Sequence, residues 1–170
     1  YPEFRVSINL SYVQILKSPL MMELKQMIDH SGISCSGIIV ELTESGYLEG
    51  TPAVRSVWND MKQLRIQIAL DDFGTGYSNL MNISNLEPDI VKLDRGFTLK
   101  ALSRSYEYQL MQYVIEMVHK LNQYVCVEGV ETKEDLEKIK ALGPDLIQGY
   151  YYSKPCSRNE FLKKFFCYSE

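Results

Sequence analysis

Ile68-Ala69-Leu70-Asp71-Asp72-Phe73-Gly74-Thr75-Gly76-Tyr77-Ser78-Asn79-Leu80 is the stretch on which the fold turns. Ile66, Ile68, Ala69 and Leu70 make an apolar strand. Two adjacent carboxylates, Asp71 and Asp72, then stand where that strand should end, and Gly74-Thr75-Gly76 opens a loop. Neighbouring carboxylates at a buried strand end repel each other and resist losing their water, so they require a cation or extra hydrogen-bond donors. Asp and Gly are also ordinary turn formers. The stretch by itself allows a plain turn as well as a charged site, and the rest of the chain separates the two readings.

Working outward, the same arrangement recurs. Upstream, residues 4–10 read as a strand with Asn9 near its end and Ser11 beyond it. Residues 37–42 read as a second, with Glu41 near its end and Glu44 three residues later. Downstream, residues 89–93 end in Lys92 and Asp94, and residues 124–127 run into Glu128-Gly129-Val130-Glu131. A last strand around residues 146–147 ends in Gln148-Gly149. Helical patterns alternate with these strands. Ser18-Pro19 opens one, with Leu20, Leu24, Met27 and Ile28 on one face and a stop at Gly32. Thr51-Pro52 opens another, followed by Val54, Val57, Trp58, Met61 and Leu64 at helical spacing. A short helical turn is expected after the glycine loop, and a long helix over residues 106–121. Thr132 caps a further helix, Asp135 can cap back and Gly143 closes it, and a tail helix covers about residues 158–166.

Strict alternation of short strands, apolar on both faces, with helices is the pattern of a parallel sheet covered by helices. An open doubly wound sheet concentrates its ligands at one switch point, whereas a barrel gathers them from many strand ends onto one face. Here every strand end is polar: Asn9, Glu41, Asp71, Lys92, Glu128 and Gln148. The expected fold is therefore α/β, a TIM-type (β/α)8 barrel. A complete barrel of this kind takes about 250 residues. With 170 residues and about six strands the barrel is expected to be incomplete, with two strands preceding Tyr1. The start at Tyr1 rather than Met, almost directly in a strand, gives the expectation of a piece of a longer protein.

Composition bounds the function. The chain is 45% hydrophobic and 24% charged, enough for one globular core. A net charge of −4 without a basic stripe argues against duplex nucleic acid and against contact with an anionic membrane. A phosphate substrate stays open, because bound cations can invert the local field. Cys35, Cys126, Cys156 and Cys167 are widely separated, which favours reduced, mostly buried thiols in a cytosolic protein over a disulfide or zinc framework. No apolar run approaches the roughly 20 residues needed to span a bilayer, and no signal peptide is visible. A cytoplasmic location is expected for this segment.

Asn9, Glu41, Asp71, Asp72 and Glu128 are hard oxygen donors without a partnering arginine cluster, a set suited to Mg²⁺ or Mn²⁺. His30 and His119 fall in helices beside polar residues and read as surface or helix-end groups. No Ser or Cys stands in a nucleophile elbow, and Gly74-Thr75-Gly76 lacks the Lys-Ser/Thr ending of a phosphate-cradling loop. Several carboxylates with one lysine point to two-metal hydrolysis of a phosphodiester, with Lys92 offsetting charge on the phosphate. Glu49, Glu131 and Glu134 read instead as caps or surface groups.

Several motifs now resemble one family: Asn9-Leu10-Ser11, Glu41-Leu42-Thr43-Glu44-Ser45, the stretch Asp71 to Ser78, Lys92-Leu93-Asp94, Glu128-Gly129-Val130-Glu131-Thr132, and Gln148-Gly149-Tyr150 running on to Ser153-Lys154-Pro155. In this order they are similar to the EAL domain phosphodiesterases that hydrolyse cyclic di-GMP, over nearly the whole chain. The resemblance implies a modified TIM barrel that cleaves cyclic di-GMP to linear pGpG with a two-metal Mg²⁺ or Mn²⁺ site. It implies Asn9, Glu41 and Asp71 as ligands of the first metal, and Asp71, Asp72 and Glu128 as the set of the second. It further implies Glu128 as general base, Lys92 as holder of a metal-bound water or phosphate oxygen, Asp94 and Gln148 as support, and Glu44 as anchor of the loop after Asp72. That loop serves family dimers, so a homodimer is expected through it. The Glu-Ala-Leu signature itself is absent; it belongs on a strand before Tyr1, and its loss by truncation would leave this piece impaired. The alternative is a non-catalytic cyclic di-GMP receptor or protein-interaction domain.

Overall fold

A computed structural model describes residues 4–17, 19–43, 52–75, 83 and 87–166. Glu44, Glu49, Cys167, the capping positions Ser18 and Thr51, the loop from Gly76 to Leu80 and most of the short helical turn after it lie outside the described residues. Six parallel strands follow one another in space as in sequence, in the order β1-β2-β3-β4-β5-β6. They are β1 (Val6–Asn9), β2 (Ile38–Thr43), β3 (Gln67–Phe73), β4 (Ile90–Leu93), β5 (Tyr124–Val127) and β6 (Leu146–Ile147). The helices are α1 (Tyr12–Lys17), α2 (Leu20–Ser31), α3 (Pro52–Gln63), α4 (Arg95–Ser103), α5 (Ser105–Lys120), α6 (Lys133–Lys140) and α7 (Arg158–Phe165). The architecture is an α/β half-barrel, an incomplete TIM-type barrel, as the alternation and the polar strand ends lead one to expect.

The side-chain period of two along a strand sorts the residues between the two faces. On the helix side, Val40, Leu42, Ile68, Leu70, Val91 and Leu93 pack into the main core with residues of α2, α3 and α5. On the inner side, Ile39, Ala69, Ile90 and Cys126 form a small apolar layer of their own. Glu41, Asp71, Lys92 and Glu128 each stand two residues beyond one of those four. The same alternation that builds the inner layer therefore carries four polar groups to one rim.

Most of the local signals hold where they are described, but Met27, expected on one face of α2 with Leu20, Leu24 and Ile28, is 60% exposed. Gly32 ends α2 in the left-handed region at φ +69°, with its N–H on Ile28 O. Thr132 and Asp135 form the reciprocal cap of α6, and Ser157 with Glu160 repeats the device on α7. Three further readings need correction. The helix α4 is additional: Asp94 caps it by accepting the Gly96 N–H at 2.7 Å, and extended backbone at Arg104 separates it from α5. Helix α6 ends at Lys140 and is capped by Ala141, with Gly143 at φ +75° in the turn beyond. Finally, β1 is exposed along its whole length and β6 is only partly covered, so two apolar, covered faces describe the inner strands alone. These are the edges of the sheet, and an edge strand has a neighbour on one side only.

Among the described cysteines only Cys126 is buried, and no disulfide is formed. No described helix is long and apolar enough to cross a membrane.

Candidate active site

The carboxyl ends of the strands continue the sheet's hydrogen bonding by one residue each. Leu10 N–H donates to Glu41 O at 2.9 Å, Asp94 to Phe73 O at 3.0 Å, Glu128 to Leu93 O at 3.1 Å and Gln148 to Val127 O at 2.9 Å. The rim is thus as well fixed as the strands beneath it. At β3 the regularity breaks: the register shifts between Leu70 and Phe73, and Asp72 takes φ +60°. A left-handed residue within a strand makes a bulge, which lets both aspartates, Asp71 and Asp72, stay near the rim.

Lys92 is the centre of the site. It is 4% exposed. Its Nζ lies 2.7 Å from Glu41 Oε2, 3.0 Å from Asp71 Oδ1 and 2.7 Å from Glu128 Oε1. Asp71 Oδ1 is buried and makes no directed hydrogen bond, so its contact with the ammonium is Coulombic. Three carboxylates around one ammonium leave a formal excess of two negative charges. Burial pulls the Lys92 ammonium toward deprotonation, but its bonds to Glu128 and Glu41 outweigh burial and hold it above its ordinary range. Burial raises the Glu128 carboxyl above the usual carboxylate value, against the opposing pull of Lys92. Burial also raises Asp72, with the charges of Asp71 and Asp94 adding to it. The Cys126 thiol is pushed up to about 12 by burial, reinforced by Glu128, which makes it an unreactive lining group.

The structure therefore brings together Glu41, Asp71, Lys92 and Glu128, with Asp72 beside them. Asn9 is exposed at the end of β1, in register with Glu41. Asp94 is turned to the α4 N-terminus as its cap. Gln148 lines a cavity of about 910 Å³ on the concave side, which Glu41 and Lys92 also line and which extends down to Phe161 and Phe165. As for a metal, among the described residues no three acidic, histidine or cysteine side chains stand ready as an ion cage. The carboxylates are turned onto Lys92 instead. The donor chemistry nonetheless suits a hard divalent cation: carboxylate oxygens from β2, β3 and the end of β5 around β4, an excess of negative charge, and a buried Asp71 oxygen without a directed hydrogen bond.

Sequence reasoning missed Arg95 and the part Glu131 plays. Arg95 Nη2 and Nε both donate to Glu131 Oε1, at 2.7 and 3.2 Å, across the turn that follows Glu128. The available signal was Gly129, whose φ of +80° places it in the left-handed region.

The family model of the EAL domain matches residues 1–155. The cyclic di-GMP phosphodiesterase PdeF of Escherichia coli K12 is 32% identical over 154 residues, covering 91% of this chain and 21% of PdeF. The solved EAL enzyme Bd1971, in a form with cAMP and cyclic di-GMP bound, superposes with a TM-score of 0.88 at 31% identity, covering 94% of this chain and 42% of that one. Klebsiella pneumoniae BlrP1, solved as a manganese and cyclic di-GMP complex, gives a TM-score of 0.83 at 26% identity over 89% of this chain and 39% of its own. The chain thus spans less than half the length of each of these proteins. With the family model covering most of its residues, the chain belongs to the EAL domain family.

Proposed function

We propose that this chain is the metal-dependent part of a phosphodiesterase that hydrolyses cyclic di-GMP to linear pGpG. The observation that carries the reading is the meeting of Glu41, Asp71 and Glu128 on Lys92 at one rim of the sheet. Glu41, Asp71, Asp72 and Glu128, with Asn9 at the edge, would hold Mg²⁺ or Mn²⁺. Bound there, the metals would neutralise the phosphate and lower the pKa of the attacking water. Glu128, raised by burial, is suited to take the proton of that water. Lys92 then balances the charge on the nonbridging phosphate oxygens. The water oxygen would form a bond to phosphorus as one P–O3′ bond breaks, and the proton that Glu128 takes from the water would pass to the leaving 3′ oxygen. Gln148 lines the cavity in which the cyclic dinucleotide would lie, Asp94 supports the rim through α4, and Glu44 would anchor the loop after Asp72. That loop would also join two copies in a homodimer, which sedimentation of wild type against a loop variant would test. BlrP1 with manganese and cyclic di-GMP, and PdeF by its name, support this reading.

The test is hydrolysis of cyclic di-GMP by the full-length protein with Mg²⁺ or Mn²⁺, beside E128Q. Linear pGpG from the wild type and none from E128Q supports the enzyme. Cyclic di-GMP binding with no product moves the reading to a receptor, and no binding at all sinks both.

A further inference from the structure

We infer that Arg95 is a positioning residue, a strap that fixes the turn carrying Glu128 against Lys92. The inference rests on the phosphodiesterase reading for its kinetic consequence, but not for its structural one.

Glu128 opens the segment Glu128-Gly129-Val130-Glu131, which turns at Gly129 with φ +80°, and both sides of that segment are clamped. On one side lies Arg95, the first residue of α4 and three residues after Lys92. A Cβ at Gly129 would collide with Arg95 Cγ and would stand 2.8 Å from Arg95 Cβ. The aliphatic stem of Arg95 therefore lies directly on the turn's backbone. Its guanidinium then reaches over the turn and donates twice to Glu131 Oε1. On the other side, Gly149 approaches the Val130 backbone so closely that a Cβ there would collide with Val130 O. Val130 itself is fully buried, and its N–H donates to Gln148 O at 3.3 Å. Lys92 and Arg95 are tied to the same strand end, because Asp94 between them caps α4 and donates its N–H to Phe73 O. The 2.7 Å contact of Lys92 Nζ with Glu128 Oε1 thus spans two rim segments that Arg95 ties together on the α4 side. An exposed ion pair alone contributes little to stability. What the pair supplies here is orientation, since small displacements of a catalytic group cost far more in rate than in folding.

The experiment compares wild type with R95K and R95A by two readouts. The first is hydrogen exchange at the Val130 amide together with the Lys92 side-chain nitrogen resonance, which need no substrate. The second is the split between kcat and KM for cyclic di-GMP. We expect R95A to speed Val130 exchange about tenfold while core amides in β3 and β4 keep their protection. We also expect its Lys92 resonance to shift, and its kcat to fall about tenfold with KM within about twofold. R95K keeps the stem and the charge, and should recover most of each effect. Unchanged Val130 exchange and an unchanged Lys92 resonance in R95A would overturn the strap. So would uniformly faster exchange, which marks simple destabilisation, or a kcat untouched by a loosened turn. If the wild type neither binds nor cleaves cyclic di-GMP, the functional reading fails and the first readout still decides the strap.

Discussion

At Lys92 three acids share one buried cation, and the balance of desolvation against attraction decides what each substitution does. Removing the cation leaves Glu41 and Asp71 facing each other and Glu128 without compensation, at side-chain exposures of 7%, 14% and 18%. Breaking a buried pair by deleting one partner is strongly destabilising. Lys92→Met should lose about 3 kcal/mol, the low end for a buried pair because the rim is partly wet, read as a drop in the urea midpoint at neutral pH. Adding Mn²⁺ should restore much of that loss, because a divalent ion replaces the missing charge. Glu128 behaves differently. Its folded-state carboxyl lies above the ordinary 4.5, so its contribution to stability is present below that value and is lost as pH rises through the folded value. Glu128→Gln removes that titration. The variant should hold its urea midpoint at neutral pH while its stability falls less than the wild type's as pH rises above 4.5. A steeper fall in E128Q would show that the bond to Lys92 outweighs burial.

Among the elements, the lower face of the sheet explains how the rim above comes to be in register. Two Pro-Asp pairs precede β4 and β6, and each aspartate reaches sideways to the neighbouring strand. Asp89 Oδ2 accepts the Ile68 N–H at 2.8 Å, and Asp145 Oδ2 accepts the Val125 N–H at 2.7 Å. Asp145 also stands 2.9 Å from His119 Nε2, which ties the end of α5 to the same clamp and gives that histidine its helix-end role. A one-residue slip in a parallel pair would turn every inward group outward. Asp89→Ala strands the N–H of fully buried Ile68 and should cost about 1–3 kcal/mol by thermal or urea denaturation, whereas Asp89→Asn keeps an acceptor and should cost less. Much of this was legible in the chain. Glu41, Asp71, Lys92 and Glu128 were legible at the carboxyl ends of strands, because an apolar run and its polar end depend only on neighbours in sequence. Capping at Thr132 and the stop at Gly32 are local as well. Helix α4 was hidden because Asp94 reads as a site carboxylate when it follows Lys92-Leu93, yet its side chain is spent on the Gly96 N–H. Arg95 with Glu131, and Lys92 as the counter-ion of three strands, could not be seen, because those partners lie 36 or more residues apart except for the 21 between Asp71 and Lys92.

For the whole molecule, the edges of the sheet govern behaviour. Val6 and Ile8 align with Ile38 and Val40, which are buried against helices, but are themselves 37% and 39% exposed. Among the described residues no strand pairs with the outer side of β1 or of β6. The first and last described residues meet instead through aromatic rings: Phe4 lies 6.1 Å from Phe161 and 5.5 Å from Phe166, edge to face, so α7 packs beside the start of β1. That contact covers part of the opening, and among the described residues the outer side of β1 has no strand partner. An uncovered edge carrying Val and Ile is a template for another chain. The chain by itself should therefore self-associate, with its mass in light scattering rising with concentration. Ile8→Lys places a charge on that edge without touching the rim, since Ile8 faces the helix side and Asn9 the inner side. Because Ile8 is already partly exposed, the variant should change the free energy of unfolding by less than about 0.5 kcal/mol, read from urea denaturation. It should also hold the molecule monomeric at concentrations where the wild type has grown. Growth unchanged in Ile8→Lys would move the contact away from β1. The exposed face of α5, with Tyr106 at 72% and Tyr113 at 66%, would then be the surface to substitute next.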